Sequence, residues 1–130
     1  MPNRILAIAA LTALLLGAGT SWLIRGQRGG DAPELLVQGD YSDILDAHAA
    51  PLVLLTAPDC EFSGLARSHL ALSGVAYAEI SVDASPRGQQ LLRERLAMRS
   101  VPVLLGRTEM LTAYDRDAMD LFLARQARLP

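Results

Sequence analysis

Cys60 is the only cysteine in the 130-residue chain, and its neighbours decide what its sulfur can do. It stands in Pro58-Asp59-Cys60-Glu61-Phe62-Ser63, directly after the apolar run Leu52-Val53-Leu54-Leu55-Thr56. A short aliphatic run with β-branched members, closed by a turn, is the pattern of a buried strand. Beyond it Phe62, Leu65, Ala66, His69, Leu70 and Leu72 recur at helical spacing. They predict a helix from about Glu61 to Ser73, stopped by Gly74. A strand feeding a helix sets Cys60 at the helix N-terminus. Free backbone N–H groups and the positive end of the helix dipole converge there, and both favour a thiolate. The position also suits a small buried hydrophobe, since free cysteine is among the most buried residue types. With one cysteine, any disulfide must join a second molecule.

The charges nearby pull in opposite directions. Asp59 and Glu61 flank Cys60, and like charges beside a thiolate raise its pKa. Arg67 lies within about 20° of the Cys60 direction but two turns away, at ~10 Å, where an exposed charge is largely screened. The expected thiol is therefore close to an ordinary cysteine. Ser63, one turn on, either donates a hydrogen bond to the sulfur or fills space at the helix start. His69 lies about 180° around the helix from Cys60 and reads as a core-edge histidine rather than a base. Two histidines and one cysteine fall short of a usual zinc site. All 12 basic side chains are arginine, which removes Schiff-base and general-base lysine chemistry.

The elements that must position Cys60 alternate along the chain. Leu35-Leu36-Val37 is a short strand candidate, and Asp40 to Asp43 carries helix-capping residues. Tyr41, Ile44, Leu45 and His48 then share a helical face. After the strand at Leu52 to Thr56 and its helix, Val75 to Val82 reads as a second long strand. Ser85-Pro86 is a helix start, an N-cap followed by proline, with Leu91, Leu92, Leu96 and Met98 as the apolar stripe. Val101 to Leu105 and Met110 to Tyr114 read as strands joined across Gly106-Arg107. Asp115 and Asp117 open a last helix carrying Ala118, Leu121, Phe122, Leu123 and Ala127. The order β-α-β-α-β-α-β-β-α predicts an α/β domain, a mixed sheet covered on both faces, at about residues 34–130.

The N-terminus is a separate object. Ile5 to Ile24 is a run of twenty uncharged residues, and a helix of that length spans the ~30 Å core of a bilayer. Trp22 sits where an interfacial aromatic belongs. Gly17-Ala18-Gly19 offers a competing reading as a cleaved signal. The apolar run continues past that point, which favours a retained anchor over residues 1–25, with the domain periplasmic or otherwise extracytoplasmic. Residues 26–33 read as a flexible linker. From Asp31 onward 9 arginines face 14 acids, a net of −5, which argues against nucleic acid as a partner.

The element order resembles the thioredoxin fold, and local motifs agree. Cys60 follows the central strand in a C-x-x-S arrangement with Ser63. Ser100-Val101-Pro102 is similar to the family's Thr/Ile-Val-Pro, whose proline is cis and lies beside the cysteine. Tyr41 to Leu55 and Ser85 to Leu105 have the shape of the same segments in thioredoxins, and Cys-Glu-Phe-Ser resembles the Cys-Gly-Phe-Ser of monothiol glutaredoxins. The resemblance covers about residues 35–128. It implies Cys60 as nucleophile, Ser63 steadying the thiolate, and Val101, Pro102, Phe62 and Arg67 meeting the substrate. Departures are equally specific. Ser63 replaces the resolving cysteine, and Leu54 stands where thioredoxins carry a buried acid. Ala57 and Gly64 replace the basic residues that serve glutathione in glutaredoxins, and Glu61 replaces the glycine of cluster-binding relatives.

Two readings follow. One is a membrane-tethered monothiol thioredoxin/glutaredoxin-like protein in thiol–disulfide exchange, its mixed disulfide at Cys60 resolved by an external thiol such as glutathione. Its partners would be protein thiols and disulfides or glutathione mixed disulfides. The other is a redox-inactive thioredoxin-like module that binds a partner protein in the same groove.

Overall fold

A computed structural model describes residues 34–129. The apolar segment Ile5 to Ile24 and the glycine-rich stretch after it lie outside these residues. Among those described, no helix is long and apolar enough to cross a membrane. From Leu35 onward the chain forms one compact unit.

The elements follow the expected order: β1 (Leu36–Gln38), α1 (Ser42–Ala47), β2 (Val53–Thr56), α2 (Glu61–Ser73), β3 (Ala78–Ser81), α3, β4 (Val103–Leu105), β5 (Glu109–Leu111) and α4 (Arg116–Gln126). Helix α3 runs over Pro86–Gln90 and widens into a π-helical turn at Leu91–Arg95. The strands form one sheet in the order β1-β5-β4-β2-β3. Only β2 and β3 pair in parallel, with Leu54 opposite Glu79, and the other three pairings are antiparallel. The sheet is mixed because α2 carries the chain back between β2 and β3, whereas the tight link at Gly106 to Thr108 reverses it between β4 and β5.

Side-chain alternation divides the core. Val53 and Leu55 of β2, with Val103 and Leu105 of β4, meet Ile44 and Leu45 of α1 and Leu92 of α3. Leu52, Leu54 and Leu104 point to the other face and meet Ala66 and Leu70 of α2 and Met119 and Phe122 of α4. Each face of the sheet is thus covered by two helices, and β2, fully buried, lies at the centre.

Local signals set the helix ends. Ser85 caps α3 by accepting from Gly88 N at 3.2 Å, and Pro86 takes the first turn. Asp115 caps α4 by accepting from Ala118 N at 2.9 Å. Gly74 ends α2 with φ +68°. Several sequence-based bounds change. The strand read from Val75 to Val82 pairs only over Ala78–Ser81, because Val75 and Tyr77 turn into the cluster under α2. The strand read from Met110 to Tyr114 shifts to Glu109–Leu111. Thr112 N still bonds Leu35 O, but Tyr114 leaves the ladder to meet His69. His48 does not share the buried face of Ile44 and Leu45. It lies exposed at the end of α1, its Nδ1 2.9 Å from Ile44 O.

Helix α3 approaches β3 closely at Gly88. A Cβ there would stand 3.1 Å from Ser81 O and from Val82 Cα, both backbone atoms that cannot swing aside. Gly88→Ala gains helix propensity of ~1 kcal/mol. Overpacking of this kind costs about 1–3 kcal/mol. The expected outcome is net destabilisation in denaturant unfolding, and a more stable variant would show that α3 is not seated on that strand end.

Candidate functional site

Strand β2 ends at Thr56, and the turn over residues 57–60 hands the chain to α2 with Cys60 as its N-cap. Cys60 has extended backbone, φ −93° and ψ 114°, and its carbonyl already accepts from Gly64 N at 3.3 Å. Its side chain caps no N–H group as a hydroxyl would, so the sulfur stays available at a helix start. The residue is a free cysteine and partly buried.

The opposite bank of the site arrives from far along the chain. The Val101–Pro102 peptide is cis, as the resemblance to thioredoxins implied. Val101 O stands 3.6 Å from Cys60 Sγ, so the thiol donates weakly to this carbonyl. The antiparallel pairing of β4 with β2, Leu104 opposite Leu54, brings the two segments together.

Ser63 lies beneath the sulfur, fully buried. Its Oγ accepts the backbone N–H of Ala57 at 3.3 Å. A hydroxyl oxygen that accepts from one side keeps its own proton for a neighbour on the other, and the Cys60 thiol one turn back responds to it. This hydroxyl is the leading reason the Cys60 thiol sits below the ordinary cysteine range. Partial burial opposes it, while the backbone N–H groups of Ser63 and Phe62 and the more distant Arg67 charge add to it. The sequence led to a thiol close to an ordinary cysteine, and to that reading the structure adds the direction, a lowering. Asp59 and Glu61 both face solvent, where their charge is screened, whereas the Ser63 hydroxyl is buried.

The other residues singled out divide. Phe62 is 55% exposed on the rim beside Cys60. Arg67 is not aimed at the groove: its guanidinium pairs with Glu79 of β3. His69 sits away from the sulfur, between Tyr114 Oη at 3.2 Å and Asp120 Oδ1 at 2.7 Å, and ties α2 to α4. Under the site a void of about 10 Å³ is lined by Leu54, Ala66, Pro102, Leu104 and Met119 among others. No carboxylate stands there, in keeping with the absence of a second thiol to deprotonate. Among the described residues no cluster of His, Cys, Asp and Glu could hold a metal ion. The Ala57 amide escaped sequence reading because a backbone group carries no side-chain signal, and of Val101, read there as meeting the substrate, only the approach of its carbonyl to Sγ is new. Glu79 escaped because its partner Arg67 lies on α2, twelve residues back, and only the packing of that helix against β3 brings the two together.

This arrangement can present one sulfur as thiolate beside a free stretch of backbone. Comparison with known proteins agrees. Residues 52–109, from β2 through the start of β5, match the glutaredoxin family model. No curated protein matches the chain. Among solved structures, a variant of the thioredoxin-like protein BC3987 is similar at TM-score 0.54 and 19% identity, covering 57% of this chain and 95% of that one. The glutaredoxin from Archaeoglobus fulgidus is similar at TM-score 0.52 and 15% identity, covering 57% and 86%. Wheat glutaredoxin is similar at 0.50 and 18%, covering 68% and 91%.

Proposed function

Starting from a chain that belongs to the thioredoxin-like superfamily, we propose that it is a monothiol oxidoreductase acting in thiol–disulfide exchange, tethered to a membrane by Ile5 to Ile24 with its domain on the extracytoplasmic side. The observation that carries the chemistry is the placement of Cys60 as the N-cap of α2 with its sulfur 3.6 Å from the carbonyl of the cis Val101–Pro102 peptide, and the buried Ser63 hydroxyl, held by Ala57 N, supports it by lowering the thiol. An incidental cysteine has no need of such an arrangement.

In the proposed reaction the Cys60 thiolate attacks one sulfur of a substrate disulfide. The Cys60–S bond forms, the substrate S–S bond breaks, and the departing thiolate takes a proton. Val101 and Pro102 offer backbone to the substrate, and Phe62 offers an apolar rim. Arg67, paired with Glu79, contributes charge at a distance rather than contact. With Ser63 in place of a resolving cysteine, a second thiol such as glutathione attacks the mixed disulfide. Its sulfur bonds to the substrate sulfur, the Cys60–S bond breaks and Cys60 returns to the thiolate, so the net result is a glutathione–substrate disulfide in place of the original one.

The test uses the full-length chain in nonionic detergent with the neutral disulfide of 2-mercaptoethanol. One adduct should form at Cys60 and be released by reduced glutathione, and Cys60→Ser should form none. If iodoacetamide labels Cys60 while no disulfide exchanges with it, the protein is instead a thioredoxin-like binding module.

A further inference from the structure

The outer face of α2 carries large exposed apolar side chains among its polar ones. Leu65 is 43% exposed and Leu72 90%, and Phe62 stands beside Cys60 at 55%. On a helix of 3.6 residues per turn, Glu61, Leu65, Ser68 and Leu72 fall in one line that begins beside the cysteine, the small Ser68 standing between the two leucines. The line spans roughly 16 Å at 1.5 Å per residue. Leu65 and Leu72 also border an open cleft of about 450 Å³ between α2 and the start of α4. Exposed apolar residues arranged in a row mark a surface that another chain covers.

The charges at the head of this stripe say which chain. Asp59 and Glu61 flank Cys60, both are exposed, and neither forms an ion pair among the described residues. The nearest arginine on the same helix, Arg67, is already neutralised by Glu79. From Asp31 onward the chain carries a net −5. The opposing charges, Arg93 and Arg99, belong to the other bank, on the segment that leads to Val101. An arriving chain that lies along α2 thus meets carboxylates at the sulfur and leucines beyond it. Carboxylates that solvent screens in the free protein act more strongly once a partner displaces that water.

Resting on the exchange reaction above, we infer that the substrate is a protein segment whose reacting cysteine has a cationic residue on one side and an aliphatic residue on the other. Asp59 and Glu61 select the cation and the α2 stripe holds the aliphatic side chain. Among substrate disulfides, those with an anionic residue beside the reacting sulfur are disfavoured when Cys60 attacks.

Three peptides, Arg-Cys-Leu, Glu-Cys-Leu and Arg-Cys-Ser, each capped on sulfur with thionitrobenzoate, separate the possibilities in the full-length chain. Attack by Cys60 forms the Cys60–peptide disulfide and expels the coloured thionitrobenzoate anion, whose release gives the rate. Rates are divided by those with free N-acetylcysteine amide, which cancels intrinsic reactivity. The Arg-Cys-Leu peptide should react several-fold to roughly tenfold faster than Glu-Cys-Leu. Asp59→Asn/Glu61→Gln, or about 1 M salt, should bring that ratio towards one. Because both rates share one thiol, the ratio is blind to any change in its protonation. Leu65→Ser should narrow the advantage of Arg-Cys-Leu over Arg-Cys-Ser. Equal rates, or a faster Glu-Cys-Leu, would overturn the charge assignment and leave the exchange reaction standing. No release from any peptide, with Cys60 still alkylated by iodoacetamide, would overturn both.

Discussion

Ser63→Ala is expected to raise the pH midpoint of Cys60 alkylation and to slow labelling at neutral pH by roughly tenfold, the equivalent of a hydrogen bond to a charged group worth ~1.5 kcal/mol. The hydroxyl accepts from Ala57 N and lowers the Cys60 thiol, and alanine removes both effects. The sulfur loses the leading reason its thiol is lowered. Ala57 N loses its acceptor at 3.3 Å, and an unmet backbone donor costs about 1–3 kcal/mol of stability. The two losses are read separately, one by the iodoacetamide rate against pH and the other by denaturant unfolding. Linkage supplies a second check. The native thiol is lowered, so between its own pKa and the ordinary value near ~8.5 the unfolded chain binds more protons than the native one. Stability therefore rises with pH across that window and is lost as pH falls through the native value. In Ser63→Ala the window narrows. An unchanged alkylation midpoint in the variant would mean that the helix terminus alone lowers the thiol.

Phe122→Ala carries the largest expected effect on the fold. Phe122 is fully buried on α4 and packs with Leu52, Leu54, Leu104 and Met119 against the face of the sheet that α2 also covers. Removing a buried phenylalanine ring costs about 3–5 kcal/mol through lost transfer energy and the cavity left behind. A domain of this size has only ~5–15 kcal/mol in total. At ~4–8 °C per kcal/mol, Tm should fall by roughly 15 °C or more. The cavity would open beside Leu54 and Leu104, whose strands carry Cys60 and Pro102, so weaker exchange activity should accompany the loss. A cost below ~1.5 kcal/mol in calorimetry would mean that α4 does not close this core.

Much of this architecture was legible because it depends on near neighbours. The unbroken aliphatic run from Leu52 to Thr56 and the helical spacing from Phe62 to Leu72 mark the strand and helix that meet at Cys60, with Gly74 marking the helix end. Ser85-Pro86 and Asp115 mark helix starts through the side-chain oxygens that cap them. The strand bounds were less legible. Val75 and Tyr77 have strand-forming chemistry, yet only pairing with β2 makes a strand, and it begins at Ala78. The π-helical turn at Leu91–Arg95 also escaped, since nothing in that stretch departs from ordinary helix formers. Its widened turn coincides with tertiary ties: Arg95 reaches Asp43 and the ring of Tyr41.

The sequence by itself determined that one sulfur stands at the start of a helix after a buried strand, with acids on both sides and no second thiol to resolve a disulfide. These facts follow from residue order and from turns of a few residues. The tertiary structure decided what that sulfur feels. It brought Val101 O to Sγ from 41 residues away, held the Ser63 oxygen on Ala57 N, and removed Arg67 to Glu79. Those contacts depend on the register of β2 against β3 and β4, which is set by how whole faces of the sheet bury their side chains rather than by any local pattern. The direction of the Cys60 shift was decided there too, because the Ser63 hydroxyl, with the backbone N–H groups of Ser63 and Phe62, outweighs the partial burial of the sulfur.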